Sequence, residues 1–445
     1  MPTLKHPDLV LICADQLRAD HLSCYGGHVP TPHLDALAAR GVRFADCHVP
    51  SPTCTPCRAS FLSGCFPAAV RARMVGCVVG DDPRFLPHVL HAAGYHTASI
   101  GKIHFAPQSD EAERVALALA RDGHYHGLRE VDLVNGHGAD CHGPGYTPWR
   151  DAIRAAQPES CRERRPLPGV PRSHVYPDPA AAHAGNYLVE RARAFFARDH
   201  ATPSTLLLSF HDPHLPFTVP APWDTHFAPA DMPQRLRAED CSGLTPDQLA
   251  ALDGRWERDR MIGTPPFPYR TLDDAAWRQA AAIYAGMVAQ LDAQVGAVLA
   301  ALEASGRAER TVVAFIADHG EHLGDHGLCG KGFHFNEVTR VPCLLAGPGV
   351  PSGHVVDDPC SLVDLAPSLY ELAGIEPPAA IHGGSWLPAL RGTGPLPRDA
   401  CLIETDDDLG ALRLRSLISA DWRLTVTAGA AYGELYARRD DPRET

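Results

Sequence analysis

The sequence predicts an α/β fold, a large mostly parallel sheet lying between helices with a small antiparallel subdomain at the C-terminal end. Three observations predict it. Short, almost uninterrupted apolar runs recur along most of the chain, helical repeats separate them, and the pattern changes to paired β-like runs beyond a Pro/Gly linker.

The apolar runs are Leu9–Ala14, His96–Ile100, Thr205–Phe210, Thr311–Ala317 and Val341–Ala346. They lack the polar/apolar alternation of a half-exposed strand, so they read as strands buried on both faces, as parallel sheets are. Between them, Pro32–Arg40 stops at Gly41, Arg84–Ala93 stops at Gly94, and Ala182–Ala197 and Asp274–Ala304 follow. In the last, Ile283, Met287, Leu291, Val295, Val298 and Leu302 recur at three and four residues and mark a core-facing stripe. Residues 107–180 and 218–272 are rich in Pro, Gly, His and charge, and are expected to be surface excursions that shape a pocket. The linker GTGPLPRD then leads to Leu412–Ile418 and Trp422–Thr427, two strands around a Ser-Ala-Asp turn. The expected division is 1–390 for the main α/β domain and 391–445 for the small β-rich one.

Composition narrows the function classes. A chain of 445 residues, 45% hydrophobic and 21% charged, has the make-up of a folded globular protein with one large and one small domain. The net charge of −13 and the scattered Lys and Arg argue against nucleic acid as a partner. Any anion site must be assembled locally from a few inward-pointing cations. MPTLKHPDLVLICADQ has no signal-peptide pattern, and no stretch reads as a membrane span of about 20 apolar residues. A cytoplasmic chain with no membrane partner is therefore expected, and fourteen dispersed cysteines suit reduced thiols there. A homo-oligomer is compatible with all of this.

In an open parallel sheet the ligand crevice lies beyond the carboxyl ends of the strands. Four of the predicted strands run into Asp15-Gln16, Gly101-Lys102-Ile103-His104, His211-Asp212-Pro213-His214 and Asp318-His319-Gly320. Carboxylates, imidazoles and an ammonium thus converge on one edge. Asp15, Asp318 and His319 suit a divalent cation: carboxylates favour a hard ion such as calcium or magnesium, and the imidazole admits manganese or zinc. Any one of these acids alone could equally be a helix cap, and Gln16 is open between ligand and bystander. His211, His124, His126, His137 and His142 carry no motif and are expected in loops, Asp292 is expected as a structural hydrogen-bond partner, and Glu404–Asp408 as a solvated turn.

The stretch SPTCTPCRASFLSG, residues 51–64, holds a Cys-x-x-Cys pair. Pro56 suits a first helical position with Thr55 or Cys54 as cap, and Gly64 closes a short helix. Cys54 would then sit at a helix N-terminus with Arg58 one turn along, a setting that favours a nucleophile or an anion. A dithiol centre, half of a zinc site, and a single reactive Cys54 remain the three readings. A zinc site would want a second pair, and no other Cys-x-x-Cys occurs.

These motifs resemble the type I sulfatases of the alkaline phosphatase superfamily. Cys54-x-Pro56-x-Arg58 followed by Phe61-Leu62-Ser63-Gly64 is similar to the motif whose cysteine becomes formylglycine, with Cys57 in a variable slot. Asp212-Pro213-His214-x-Pro216-Phe217, Lys331 with Arg340-Val341-Pro342, and Gly433-Glu434-Leu435-Tyr436 follow in the family's order. Asp15-Gln16 and Asp318-His319 are closer to choline sulfatases and phosphonate monoester hydrolases than to arylsulfatases. The resemblance implies an alkaline phosphatase-like sandwich and a divalent metal, calcium first, with magnesium, manganese or zinc admitted, held by Asp15, Gln16, residue 54, Asp318 and His319. It implies Arg58, Lys102, His104, His214 and Lys331 as catalytic partners of a formylglycine at 54. In that scheme Asp318 takes the nucleophile's proton, His104 takes the second, and His214 with Lys331 serves the leaving oxygen. A small sulfate ester as substrate, and a formylglycine-generating or anaerobic maturation enzyme as partner, complete the expectation. A phosphonate or phosphodiester hydrolase and a non-catalytic anion binder are the alternatives.

The three readings of the Cys pair part company on one measurement. Turnover is expected to vanish in Cys54→Ala and to stay within a few-fold, roughly, of wild type in Cys57→Ala, whereas a dithiol or zinc role requires both losses.

Overall fold

The computed structural model describes residues 6–445 apart from 168, 171, 256–267 and 408–411. Strands β1 (Asp8–Ala14), β2 (Val42–Phe44), β4 (His96–Gly101), β5 (Glu130–Leu133), β6 (Ser204–Ser209), β7 (Thr311–Ala317), β8 (Cys343–Ala346) and β9 (His354–Val356) form one sheet, ordered β5-β4-β6-β1-β7-β8-β2-β9, and the short β3 (Cys47–His48) and β10 (Cys360–Ser361) pair in parallel beside it. The pairings from β5 through β7 are all parallel. Their carboxyl ends therefore open onto one edge. Apolar strands make the sheet's interior: every residue of β1, β6 and β7 is buried.

Two departures from the expected layout matter. The run at Val341–Ala346 is a strand only from Cys343, and β8 runs antiparallel to both β7 and β2. Periodicity reports burial on two faces, and a strand between two others is buried whichever way it points. Residues 107–180 are not only surface excursion: they hold helix α4 (Glu111–Asp122), the edge strand β5 and helix α5 (Tyr146–Ala156). As an edge strand with Glu130 and Asp132 in it, β5 lacks the apolar run that marks a central one.

Helices cover the sheet. The expected helices are found as α1 (Pro32–Ala39), α3 (Leu86–Ala92), α6 (Ala184–Phe196) and a 31-residue helix at Asp274–Ala304. That long helix is apolar enough to match a membrane span by length and composition, contrary to expectation, yet 72% of its apolar window is buried inside the protein. It packs on α6 and α1. Its Asp292 accepts from the backbone N–H groups of His33, at 3.2 Å, and Leu34, at 2.9 Å, and so caps the free donors of α1.

Helix α2 (Cys54–Ser63) begins earlier than Pro56 suggests. Thr53 is the N-cap, Cys54 the first helical residue, and Gly64 closes the helix in the left-handed conformation at φ 68°. Pro56 is tolerated because the first-turn N–H groups have no helical acceptor to lose. The C-terminal segment forms an antiparallel sheet of β11 (Ala400–Asp407), β12 (Leu412–Ser419), β13 (Trp422–Thr427) and β14 (Gly433–Ala437). Glu404–Asp407 therefore lie in a strand rather than a turn, each paired across to β12; Asp408 falls outside the described residues. Leu412, Leu414 and Tyr436 pack this sheet against Leu252, Leu328, Phe333 and Phe335 of the larger unit.

Because Asp292 is 2% exposed and satisfies two helix-end donors, Asp292→Ala should lower the unfolding free energy by about 1–3 kcal/mol. Urea unfolding measures this, and turnover of the folded fraction should not change.

Candidate active site

Asp15 and Gln16 leave β1, Lys102 and His104 leave β4, His211–His214 leave β6, and Asp318 and His319 leave β7. Gly101 permits the turn into Lys102: its φ is +97°, and a Cβ there would lie 2.1 Å from the Ser209 carbonyl oxygen. Gln16 and His104 adopt left-handed backbone at φ 65° and 64°, an arrangement costly for non-glycine residues and concentrated at functional sites.

At the focus is Cys54, 1% exposed. Its Sγ lies 3.8 Å from Asp15 Oδ1, 3.2 Å from His319 Nε2 and 2.9 Å from Lys331 Nζ. Asp15, Cys54, Asp318 and His319 each offer a ligand atom, all within 4.8 Å of one another and all buried. His319 Nε2 is 3.5 Å from both Asp15 Oδ1 and Asp318 Oδ1, while its Nδ1 meets the Gly320 carbonyl at 2.9 Å. An Nδ1–H donated there leaves the Nε2 lone pair facing the acids, the form a metal requires. Two acids, an imidazole and a heteroatom at residue 54 fit a divalent cation. Gln16 stands at the rim of this set: its Oε1 accepts from Lys331 Nζ at 3.1 Å, and its Nε2 donates to Glu321.

Cations surround the acids. Lys102, fully buried, pairs with Asp15. Arg58 donates from Nε to Asp318 at 2.8 Å and from Nη1 to Ser209 Oγ at 2.7 Å and the Lys102 carbonyl at 3.0 Å. Lys331 Nζ also reaches His214 Nε2 at 2.8 Å and His319 Nε2 at 2.9 Å. Burial alone would push Asp15 up, but Lys102, His214, His137 and Lys331 together hold it well below the usual carboxylate range. Cys54 is likewise held far below an ordinary thiol, since Lys102, Lys331 and His319 outweigh both burial and Asp15. Asp318 moves the other way: burial and then the charge of Asp15 raise it.

The structure brings every expected site residue into this cluster. It adds two that the motifs did not single out. His137, beyond β5, lies 2.9 Å from Lys102 Nζ and 3.4 Å from Asp15 Oδ2, and its ring stacks on His214 with centroids 3.7 Å apart. Glu321, three residues after Asp318, binds Gln16 and accepts from Leu323 N–H at 2.9 Å and from Gly330 N–H. His211 is buried with Nε2 2.9 Å from the Val134 carbonyl, His142 is exposed as expected, and His126 is buried rather than solvated. Cys57 is buried behind Cys54, and neither is in a disulfide.

Known proteins share this layout. The sulfatase family profile matches residues 7–375, and a profile described as N-sulphoglucosamine sulphohydrolase, C-terminal, matches residues 324–445. The chain is similar to a multifunctional alkaline phosphatase superfamily protein of Trinickia caryophylli, 32% identical over 406 residues that span 86% of this chain and 77% of that protein. It is also similar to a choline-sulfatase of Rhizobium meliloti, 28% identical over 397 residues, 84% of this chain and 69% of that one. A solved structure of a phosphonate monoester hydrolase of Agrobacterium radiobacter superposes with a TM-score of 0.79 at 26% identity, covering 98% of this chain and 90% of its own. The architecture is thus an alkaline phosphatase-like α/β fold with a small antiparallel sheet at its C-terminal end.

Burial, helped by Lys102, holds His104 down at about 4 against 6.5 for a free imidazole. Between these values the unfolded chain binds a proton that the folded one refuses, so the stabilising contribution is present above 6.5 and is lost as pH falls towards 4. Over that window wild-type protein should lose more unfolding free energy than His104→Gln, read from urea curves at each pH. Parallel losses would show that His104 is not held neutral.

Proposed function

The chain belongs to the sulfatase family of the alkaline phosphatase superfamily and is a sulfuric ester hydrolase, and we propose that it cleaves sulfate monoesters with one divalent ion and a formylglycine made from Cys54. The observation that carries this reading is the position of Cys54, at a helix N-terminus and in reach of two acids, two ammonium groups and three imidazoles at once. Asp15, Asp318, His319 and residue 54 would hold the ion, with the Gln16 carbonyl oxygen beside them; calcium suits the oxygen-rich set best. Bound there, the ion would act as a Lewis acid while the formylglycine hydrate offers a hydroxyl nucleophile near neutral pH.

The chain's own groups supply the rest. Arg58 holds Asp318 through Oδ2 and the Gln16 N–H holds it through Oδ1, which keeps the carboxylate within 4.8 Å of Cys54, where it can take a proton. His104 beside Cys54 is neutral and can accept a second one. His214 keeps Nδ1 on the Leu215 carbonyl at 2.5 Å and turns Nε2 to Lys331. Burial and then Lys331 hold this imidazole down at about 4, so near neutrality it is uncharged and its Nε2 positions the Lys331 side chain, which would serve the leaving oxygen. Lys102, Lys331 and Arg58 balance the charge of the transferring sulfuryl group against Asp15 and Asp318. A formylglycine-generating or anaerobic maturation enzyme is the partner this reading requires.

Phosphonate monoester hydrolysis is the second reading, favoured by the structural likeness to the Agrobacterium radiobacter enzyme. Lys102 and His104 support the sulfate reading, because the Gly-Lys-x-His element resembles that of sulfatases.

Mass spectrometry of the Cys54 peptide should show the aldehyde or its hydrate in protein co-produced with a formylglycine-generating enzyme; an unmodified thiol there sinks the mechanism. On matched aryl esters, sulfate should be preferred, and a phosphonate preference of several orders of magnitude selects the second reading. Lys102→Ala should reduce kcat by about 100–1,000-fold, and chelation should abolish turnover until calcium is restored.

A further inference from the structure

A second group of metal-ligating side chains lies outside the catalytic cluster, where three chain segments meet. Asp81 comes from the loop before α3, His88 from α3, and His124 and His126 from the turn after α4. Reciprocal backbone bonds between Tyr125 and Leu128, both 2.9 Å, tighten that turn. Gly127 lets it abut α3: a Cβ there would lie 2.3 Å from the His88 backbone nitrogen.

Asp81 Oδ1 is 2.6 Å from His88 Nε2 and 3.5 Å from His126 Nδ1. Ligand atoms of Asp81, His88 and His124 lie within 4.8 Å of one another, and the rings of His88 and His124 meet edge-on at 4.9 Å. An independent observation points to a ligand. His126 is 7% exposed, and its Nδ1, directed at Asp81, has no hydrogen-bond partner. A buried polar nitrogen without a partner is costly, and a lone pair aimed at a carboxylate is satisfied by a cation between them.

We propose that Asp81, His88 and His124 bind a borderline transition-metal cation, Zn2+ foremost, with His126 Nδ1 behind Asp81. Two imidazoles and one carboxylate, with a fourth position open to water or His126, suit zinc, whereas the cluster around Asp15 and Asp318 is richer in oxygen and suits a harder ion. The two sites therefore select different metals. The new site also braces the first one. His126 packs edge-on against Phe105, with centroids 4.9 Å apart, and Phe105 follows His104. Its N–H donates to Glu111 Oε1 at 2.6 Å. An ion joining loop, helix and turn would fix the layer on which Gly101–His104 rests.

The test uses tag-free full-length protein, dialysed with Zn2+ in excess Ca2+, and elemental analysis. Wild type and Asp318→Asn should each retain one more zinc equivalent than the His88→Ala/His124→Ala double variant. Both replaced residues are half-buried, and circular dichroism checks that the fold survives. Zn2+ should raise the unfolding temperature of wild type and leave that of the double variant unchanged. With Co2+ as probe, wild type should show ligand-field bands without the sulfur charge-transfer band that a cysteine site gives. Equal zinc content in wild type and double variant would overturn the proposal, as would cobalt bands that persist in the double variant.

Discussion

A full negative charge on Asp15 in the protein interior is the constraint on which the rest of the site depends. An ionised carboxylate without partners in such a place costs several kcal/mol or more. Lys102 offsets this directly, and Lys331, His137 and His214 add to it. Lys102, His137 and His214 must each arrive from beyond a different strand. Strand order does this: β4 and β5 on one side bring Lys102 and His137, and β7 on the other brings Asp318 and His319. The same charges hold Cys54 in an anion-stabilising field. An acidic chain thus builds a locally cationic pocket from very few residues.

Lys331 is the member of the cluster that no strand carries. It sits in the loop between β7 and β8, and its placement depends on carboxylates that take no part in catalysis. Glu321 joins Gln16 to Gly330, next to Lys331. Glu337 gathers His322 at 2.7 Å and His326 at 3.0 Å, and the Glu444 carboxylate holds Asn336 N–H at 2.8 Å and buried Arg423 at 2.8 Å. His334 spans the C-terminal sheet, 2.7 Å from Ser416 Oγ and 2.8 Å from Thr405 Oγ1. The small sheet is therefore the outer wall against which the Lys331 loop is braced.

Reading the residues after each apolar run located Asp15, Lys102, His104, His214, Asp318 and His319, because buried parallel strands announce themselves by composition. That rule fails where a strand is half-exposed. Glu130–Leu133 has no apolar run, so His137 beyond it carried no signal. Glu321 was illegible for another reason: its meaning lies in Gln16, 305 residues away, and no local pattern encodes that pairing. Strand direction was equally hidden at β8, since burial is blind to polarity. Asp292 was legible because an acid inside an apolar helical stripe needs a buried donor.

Cys54 lies at the bottom of this arrangement, behind Lys331 and within a helix whose every residue is buried. Such a thiol offers no surface to a second protein once the sheet and the Lys331 loop have closed. Any catalyst acting on it must meet an extended chain, before β7 and the C-terminal strands have been added. The order of synthesis permits this, since residue 54 emerges long before Lys331. Burial in the finished fold thus sets a clock: a protein catalyst that modifies residue 54 has to act before the later strands dock, while small molecules reach it afterwards.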